Sequence, residues 1–181
     1  MAITGVAKIT SFPAGMDAGD LAFDELIEQM IGDDVYIAEG TLTSADVASL
    51  SSIAAYDTAL STYFDVLGEL AEKPGKIDSK LDSLKTRNYK VAGKRTNTLE
   101  LKLVGISQLQ KKWLESPAFS ATTMTIILRS REKDRVIILN GMKWTADWSS
   151  ETDALFDVLL STEFAGTTDT RIYVFKDISA T

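Results

Sequence analysis

The period of the apolar positions changes several times along the chain, and each change marks a predicted element. The cleanest alternation is TLELKLV at residues 98–104. Leu99, Leu101 and Leu103 fall on one face and Thr98, Glu100 and Lys102 on the other, which predicts a half-buried antiparallel strand. Gly105 interrupts it. Ser107 and Gln110 then form the S-x-x-Q capping box of a helix whose apolar stripe is Ile106, Leu109, Trp113 and Leu114, so Leu109 and Trp113 are expected to pack on the strands. Pro117 follows its end. Residues 122–141, TTMTIILRSREKDRVIILNG, set two apolar, β-branched runs on either side of a charged segment, the pattern of a hairpin. Asn140-Gly141 is a favoured turn dipeptide. After it, Met142, Trp144, Ala146 and Trp148 alternate with Lys143, Thr145 and Asp147, and RIYVFKDI reads as a closing strand.

Elsewhere the pattern is less uniform. Residues 3–12 suit a short first strand or an arm, ended by Pro13, and residues 20–31 suit a helix with Asp20 as its N-cap. DVYIAEGTLT reads as a strand pair, or as one strand bulged around Gly40. Leu60, Tyr63, Phe64, Leu67, Leu70 and Ala71 recur at helical spacing, with Asp57, Asp65, Glu69 and Glu72 outward. That predicts an amphipathic helix stopped by Lys73-Pro74-Gly75. KIDSKLDSLKT is either a short helix or an extended, lysine-rich connection. ALFDVLLSTEF fits a strand through Phe156, Val158, Leu160, Thr162 and Phe164, or a helix through Leu155, Phe156, Leu159 and Leu160. The expected class is α+β, a mainly antiparallel β-sandwich or barrel with flanking helices. It forms a single domain over residues 1–181, with a β core at 89–178 and a helix-containing N-terminal elaboration or insertion at 13–88.

Composition narrows the chemistry. The 181 residues include no cysteine and no histidine, which removes disulfides, thiolate zinc sites and the commonest general base and metal ligand. Neither a dinucleotide fingerprint, a P-loop nor a nucleophile elbow is present. No membrane span and no signal-peptide pattern is found, so a soluble chain made in the cytoplasm is expected. Acidic neighbours such as Asp33-Asp34 lack the ordered oxygen spacing of a calcium loop and read as solvated surface. Trp144 and Trp148 share a strand face. Such a face either stacks on a ligand or, more often, belongs to the core.

Charge is strongly polarised. Residues 1–72 hold 13 acidic side chains and one lysine, a net of −12, whereas residues 73–181 hold 18 basic and 13 acidic side chains, a net of +5, with 11 basic and three acidic side chains, a net of +8, within residues 73–112. Aromatic residues are too sparse in the basic stretch for a nucleic-acid stacking platform. The two halves are either complementary faces of one protomer or the two sides of a head-to-tail contact between copies.

Taken in order, TLELKLVG, ISQLQKKWLES, TTMTIILRSREKDRVIIL, NGMKWTADWS and RIYVFKDI give a layout that resembles the tail-tube proteins of bacteriophages and related injection machines. The resemblance covers roughly residues 89–178 and is one of layout, with no diagnostic motif. It implies a sandwich or barrel core and hexameric rings stacked head-to-tail into a virion tail tube. It also implies contacts with other tail proteins, passage of DNA through the lumen without specific binding, and no catalytic residue, cofactor or metal. In that setting Arg129, Arg131, Glu132, Lys133, Asp134 and Arg135, at or near the hairpin tip, are candidate subunit-interface residues. Either they fix register between neighbours, or they form a solvated loop that keeps the hairpin soluble. A small β-sandwich binding module without catalysis is the alternative function.

Overall fold

A computed structural model describes residues 3–9, 34–85, 90–129, 136–152, 155–165 and 171–175. The strands are β1 (Val6–Ala7), β2 (Asp34–Gly40), β3 (Asp65–Lys85), β4 (Lys90–Ile106), β5 (Met124–Arg129), β6 (Val136–Met142), β7 (Thr145–Thr152), β8 (Leu155–Ala165) and β9 (Ile172–Phe175). The helices are α1 (Ser44–Ser49), α2 (Ile53–Tyr63), α3 (Gln108–Leu114) and α4 (Pro117–Ala121). All strand pairs are antiparallel, in one sheet of order β7-β8-β4-β3-β2-β5-β6-β9, with β1 paired to the end of β2. The α+β class expected from sequence is therefore present. The sheet is open and does not close into a barrel: β7 and β9 are its two outer strands.

Period-2 alternation explains the core. Along β2, Val35 and Ile37 enter one apolar cluster while Tyr36 and Ala38 meet the other. Ile126 and Ile127 divide in the same way along β5. The first cluster takes in Leu99, Leu101 and Leu103 of β4, Val158 and Leu160 of β8, and Trp144. The second is roofed by α1 and α2 through Val47, Leu50, Tyr56 and Leu60. The middle of the sheet is thus covered on both faces, which accounts for the continuous apolar runs of β5 and β6. Strands β2 and β3, from the segment read as an elaboration of the core, take central positions.

The predicted helix over Leu60 to Ala71 is corrected. Helix α2 ends at Tyr63, and β3 begins at Asp65. The helical spacing of Leu67 and Leu70 has a different origin. In the β2–β3 pairing Val35 faces Gly68 and Tyr36 faces Val66, so Leu67 is the extra residue of a bulge, and a bulge breaks period 2. Lys73-Pro74-Gly75 does not end a helix. Leu70 pairs with Leu103 and Gly75 with Leu101, so Pro74 lies in a wide irregularity where its missing N–H removes no ladder bond. KIDSKLDSLKT is extended, as part of β3, and ALFDVLLSTEF takes its strand reading as β8. The helix expected over residues 20–31 lies outside the described residues.

Asn140-Gly141 is not a hairpin turn. Both residues lie in β6 opposite Thr125, between the pairs Ile126–Leu139 and Met124–Met142. Gly141 has φ +62, and a Cβ there would press against Thr41, so the bulge needs glycine. Asn140 uses its buried amide to hold the chain that leaves β2: its Oδ1 accepts from Leu42 N at 2.7 Å and its Nδ2 donates to Leu42 O at 2.9 Å.

The capping box of α3 forms as predicted. Ser107 N donates to Gln110 Oε1 at 2.9 Å and Gln110 N donates to Ser107 Oγ at 3.3 Å. Its apolar stripe is rotated from the expected one. Leu114 and Gln110 are buried and Trp113 is half-buried against Phe119, with ring centroids 5.1 Å apart, but Leu109 is 58 % exposed. Gln110 takes the inward position because its Nε2 also donates to Val66 O at 3.3 Å, tying α3 to β3. Among the described residues, no helix is long and apolar enough to cross a membrane.

Candidate assembly surface

The charged hairpin is where sequence reasoning put the candidate interface. Its strands are β5 and β6, and Arg129 closes β5 with its Cα opposite Asp34 of β2 on one side and Val136 of β6 on the other. The Arg129 side chain enters the protomer, where the residue is 4 % exposed, and its Nη1 donates to Asp57 Oδ1 on α2. Arg129 thus lies near the hairpin tip, as read from sequence, in the last strand pair before it, but its side chain turns into the protomer and offers no exposed charge to a neighbour. Arg131, Glu132, Lys133, Asp134 and Arg135 lie outside the described residues.

Two tyrosines complete the surroundings of this ion pair. Burial pushes the Tyr36 phenol above its ordinary pKa and the charge of Asp34 adds to the shift, with Arg129 opposing it. Burial pushes Tyr56 up further, again against the pull of Arg129. Both phenols stay protonated through the physiological range, so the cluster holds one guanidinium, the two carboxylates of Asp34 and Asp57, and two neutral hydroxyls. Its chemistry is that of a clamp joining α2, β2 and β5.

A second clamp was missed in the sequence. Asp46, buried at the start of α1, accepts at Oδ1 from Thr4 N (3.0 Å). At Oδ2 it accepts from Gly5 N (3.1 Å), Thr43 N (2.9 Å) and Thr43 Oγ1 (2.8 Å). Asp46 N returns a bond to Thr43 Oγ1 at 3.2 Å, completing a capping box. Burial alone would raise the Asp46 pKa, but the donors from Thr4, Thr43 and Gly5 more than offset it and the net shift is downward. Gly5 is held so close that a Cβ would lie 1.9 Å from Thr41 O. The signal was legible: Thr43-x-x-Asp46 is the same box that Ser107-x-x-Gln110 displays.

These contacts bear on the polarised charge. Asp57 meets Arg129 across the acidic and basic halves within one protomer, Asp65 meets Lys8 at 3.5 Å, and Asp46 is enclosed by neutral donors. Part of the acidic excess is thus taken up internally.

Three features face outward. Among the described residues, the outer strands β7 and β9 each pair on one side only. Strands β3 and β4 form a ribbon that, among the described residues, outruns the sheet: β2 pairs with β3 from Asp65 to Glu69 and β8 reaches β4 as far as Thr96, whereas the ribbon continues to Lys85 and Lys90. Val66 of β3, 57 % exposed, and Leu109 of α3, 58 % exposed, are large apolar side chains left outside the core, on two elements that Gln110 joins.

The tryptophan face is core. Trp144 is fully buried. Trp148 is half-buried, packs edge-on against Phe156 with centroids 6.1 Å apart and lies 5.2 Å from Lys111 Nζ. Among the described residues, no group of three or more acidic side chains could hold a metal ion. Compared with protein-family models and with curated protein sequences, the chain matches none.

Proposed function

We propose that this protein is a structural subunit that assembles head-to-tail into rings stacked as a tube of the phage-tail type, with its work done by surfaces that pair between copies. One observation carries this reading. The antiparallel sheet is open, with two outer strands and a β3–β4 ribbon running past it. Open strand edges are a hazard for a lone molecule and an assembly bond for a polymer. The layout of strands over residues 89–178 and the charge-bearing hairpin add to it. So do Val66 and Leu109, large apolar side chains that are each more than half exposed. The buried Trp144 offers no ligand platform.

The test is size-exclusion chromatography with light scattering over a range of concentrations, followed by electron microscopy. Rings, with tubes at higher concentration, are the expected outcome. Association should weaken as salt shortens the screening length from about 10 Å at 0.1 M to about 3 Å at 1 M. A monomer at millimolar protein and low salt overturns the proposal.

A further inference from the structure

The geometry points to a specific contact between copies: the projecting β3–β4 ribbon of one copy lies along the outer edge of β7 of the next, adding strands to its sheet. This rests on the structural-subunit reading and gives it a partner surface. Among the described residues, beyond the pair Lys80–Thr96 the ribbon carries only its two strands to the pair Lys85–Lys90. At about 3.3 Å per residue that overhang is on the order of 17 Å long. A two-stranded ribbon is marginal in water and needs a third strand or a packed face to persist. Among the described residues β2 pairs with β3 no further than Glu69, so on the β3 side the edge without a described partner is longer still.

Strand β7 supplies what the ribbon lacks. Its outer edge is unpaired over eight residues, the most extended free edge among the described strands that end the sheet, since β9 has four. The signs are complementary. Residues 75–85 and 90–95 carry six basic and two acidic side chains, a net of +4, whereas the charges of β7 are Asp147 and Glu151 alone. Within one chain β8 and β4 stand between β7 and β3, so the contact forms between copies. Ribbon and β7 are different surfaces. The contact is therefore heterologous, and repetition closes a ring or extends a filament.

The absence of cysteine makes the test direct. Asp147→Cys is combined in turn with Lys76→Cys, Asp78→Cys or Lys80→Cys, and the protein is treated with a short bismaleimide at a concentration where light scattering shows oligomers. A covalent ladder of dimers and larger species from at least one pair, exceeding that of each single variant, is expected. Oligomers without such a ladder from any pair overturn the ribbon–β7 contact and leave the subunit reading standing; a monomer at every concentration overturns both. A charge exchange gives a second readout. Asp147→Lys should weaken self-association on the order of tenfold or more, and adding Lys76→Glu and Lys80→Glu should restore it. Unchanged association in Asp147→Lys counts against the contact.

Discussion

Replacing Asp46 by asparagine keeps the shape of the side chain and removes its charge. The carboxylate receives four close donors, from Thr4 N, Gly5 N, Thr43 N and Thr43 Oγ1, at 2.8–3.1 Å. An amide has one oxygen, so its NH2 group must face either Thr4 N or the three donors at the other position. At least one buried N–H loses its acceptor, which costs about 1–3 kcal/mol, and the surviving bonds lose their charge assistance. A total of about 2–4 kcal/mol follows, a large share of a typical domain's stability. Acid should report the same group. The folded pKa of Asp46 is depressed, so its contribution is complete above the ordinary aspartate value of about 3.9 and disappears as pH falls through the lower folded value. Urea unfolding of both proteins at about pH 7 and about pH 3 should therefore show a gap that narrows in acid. Amide exchange should show β1 released first in the variant, because Thr4 and Gly5 join β1 to α1. A variant within about 0.5 kcal/mol of the parent near neutrality, or a gap indifferent to acid, would refute the clamp.

Leu109→Ser should leave stability within about 0.5 kcal/mol while impairing assembly, since Leu109 is a large apolar side chain left exposed; Trp113→Ala, which strips the half-buried partner of Phe119, should cost about 2–4 kcal/mol in denaturant unfolding. Asp57→Ala should destabilise more than Arg129→Met, by about 3 kcal/mol against about 1, because the first leaves a buried guanidinium uncompensated and the second removes the charge; thermal unfolding of both variants in parallel checks the order. Reversal of Arg131, Lys133 and Arg135 to glutamate should leave the fold intact, as exposed ion pairs contribute only about 0–1 kcal/mol each, and should shorten or abolish tubes in electron micrographs. Normal tubes would make the hairpin tip a solvated loop.

The sequence by itself determined what is local. The alternation of Leu99, Leu101 and Leu103, the box of Ser107 and Gln110 and the two runs flanking the charged hairpin all appear where the pattern placed them, because each depends on neighbours within a few residues. The missing cysteine and histidine bounded the chemistry in the same way. Tertiary structure decided the rest. Leu60 to Ala71 carries a helical spacing that is half helix and half bulged strand, since a bulge opposite Val35 and Tyr36 imitates the helical period and is fixed only by the strand it pairs with. Asn140-Gly141 has the chemistry of a turn, yet Leu42 and Thr125 claim its polar groups and hold it inside β6. Leu109 and Gln110 exchange the sides that hydrophobicity assigns them because Val66 O offers the buried amide a partner. Arg129 lies near the tip as predicted but turns its side chain inward, because Asp57, 72 positions away in the chain, offers it a partner there. In each case the deciding partner is distant in sequence, and a pattern read along one strand carries no term for it.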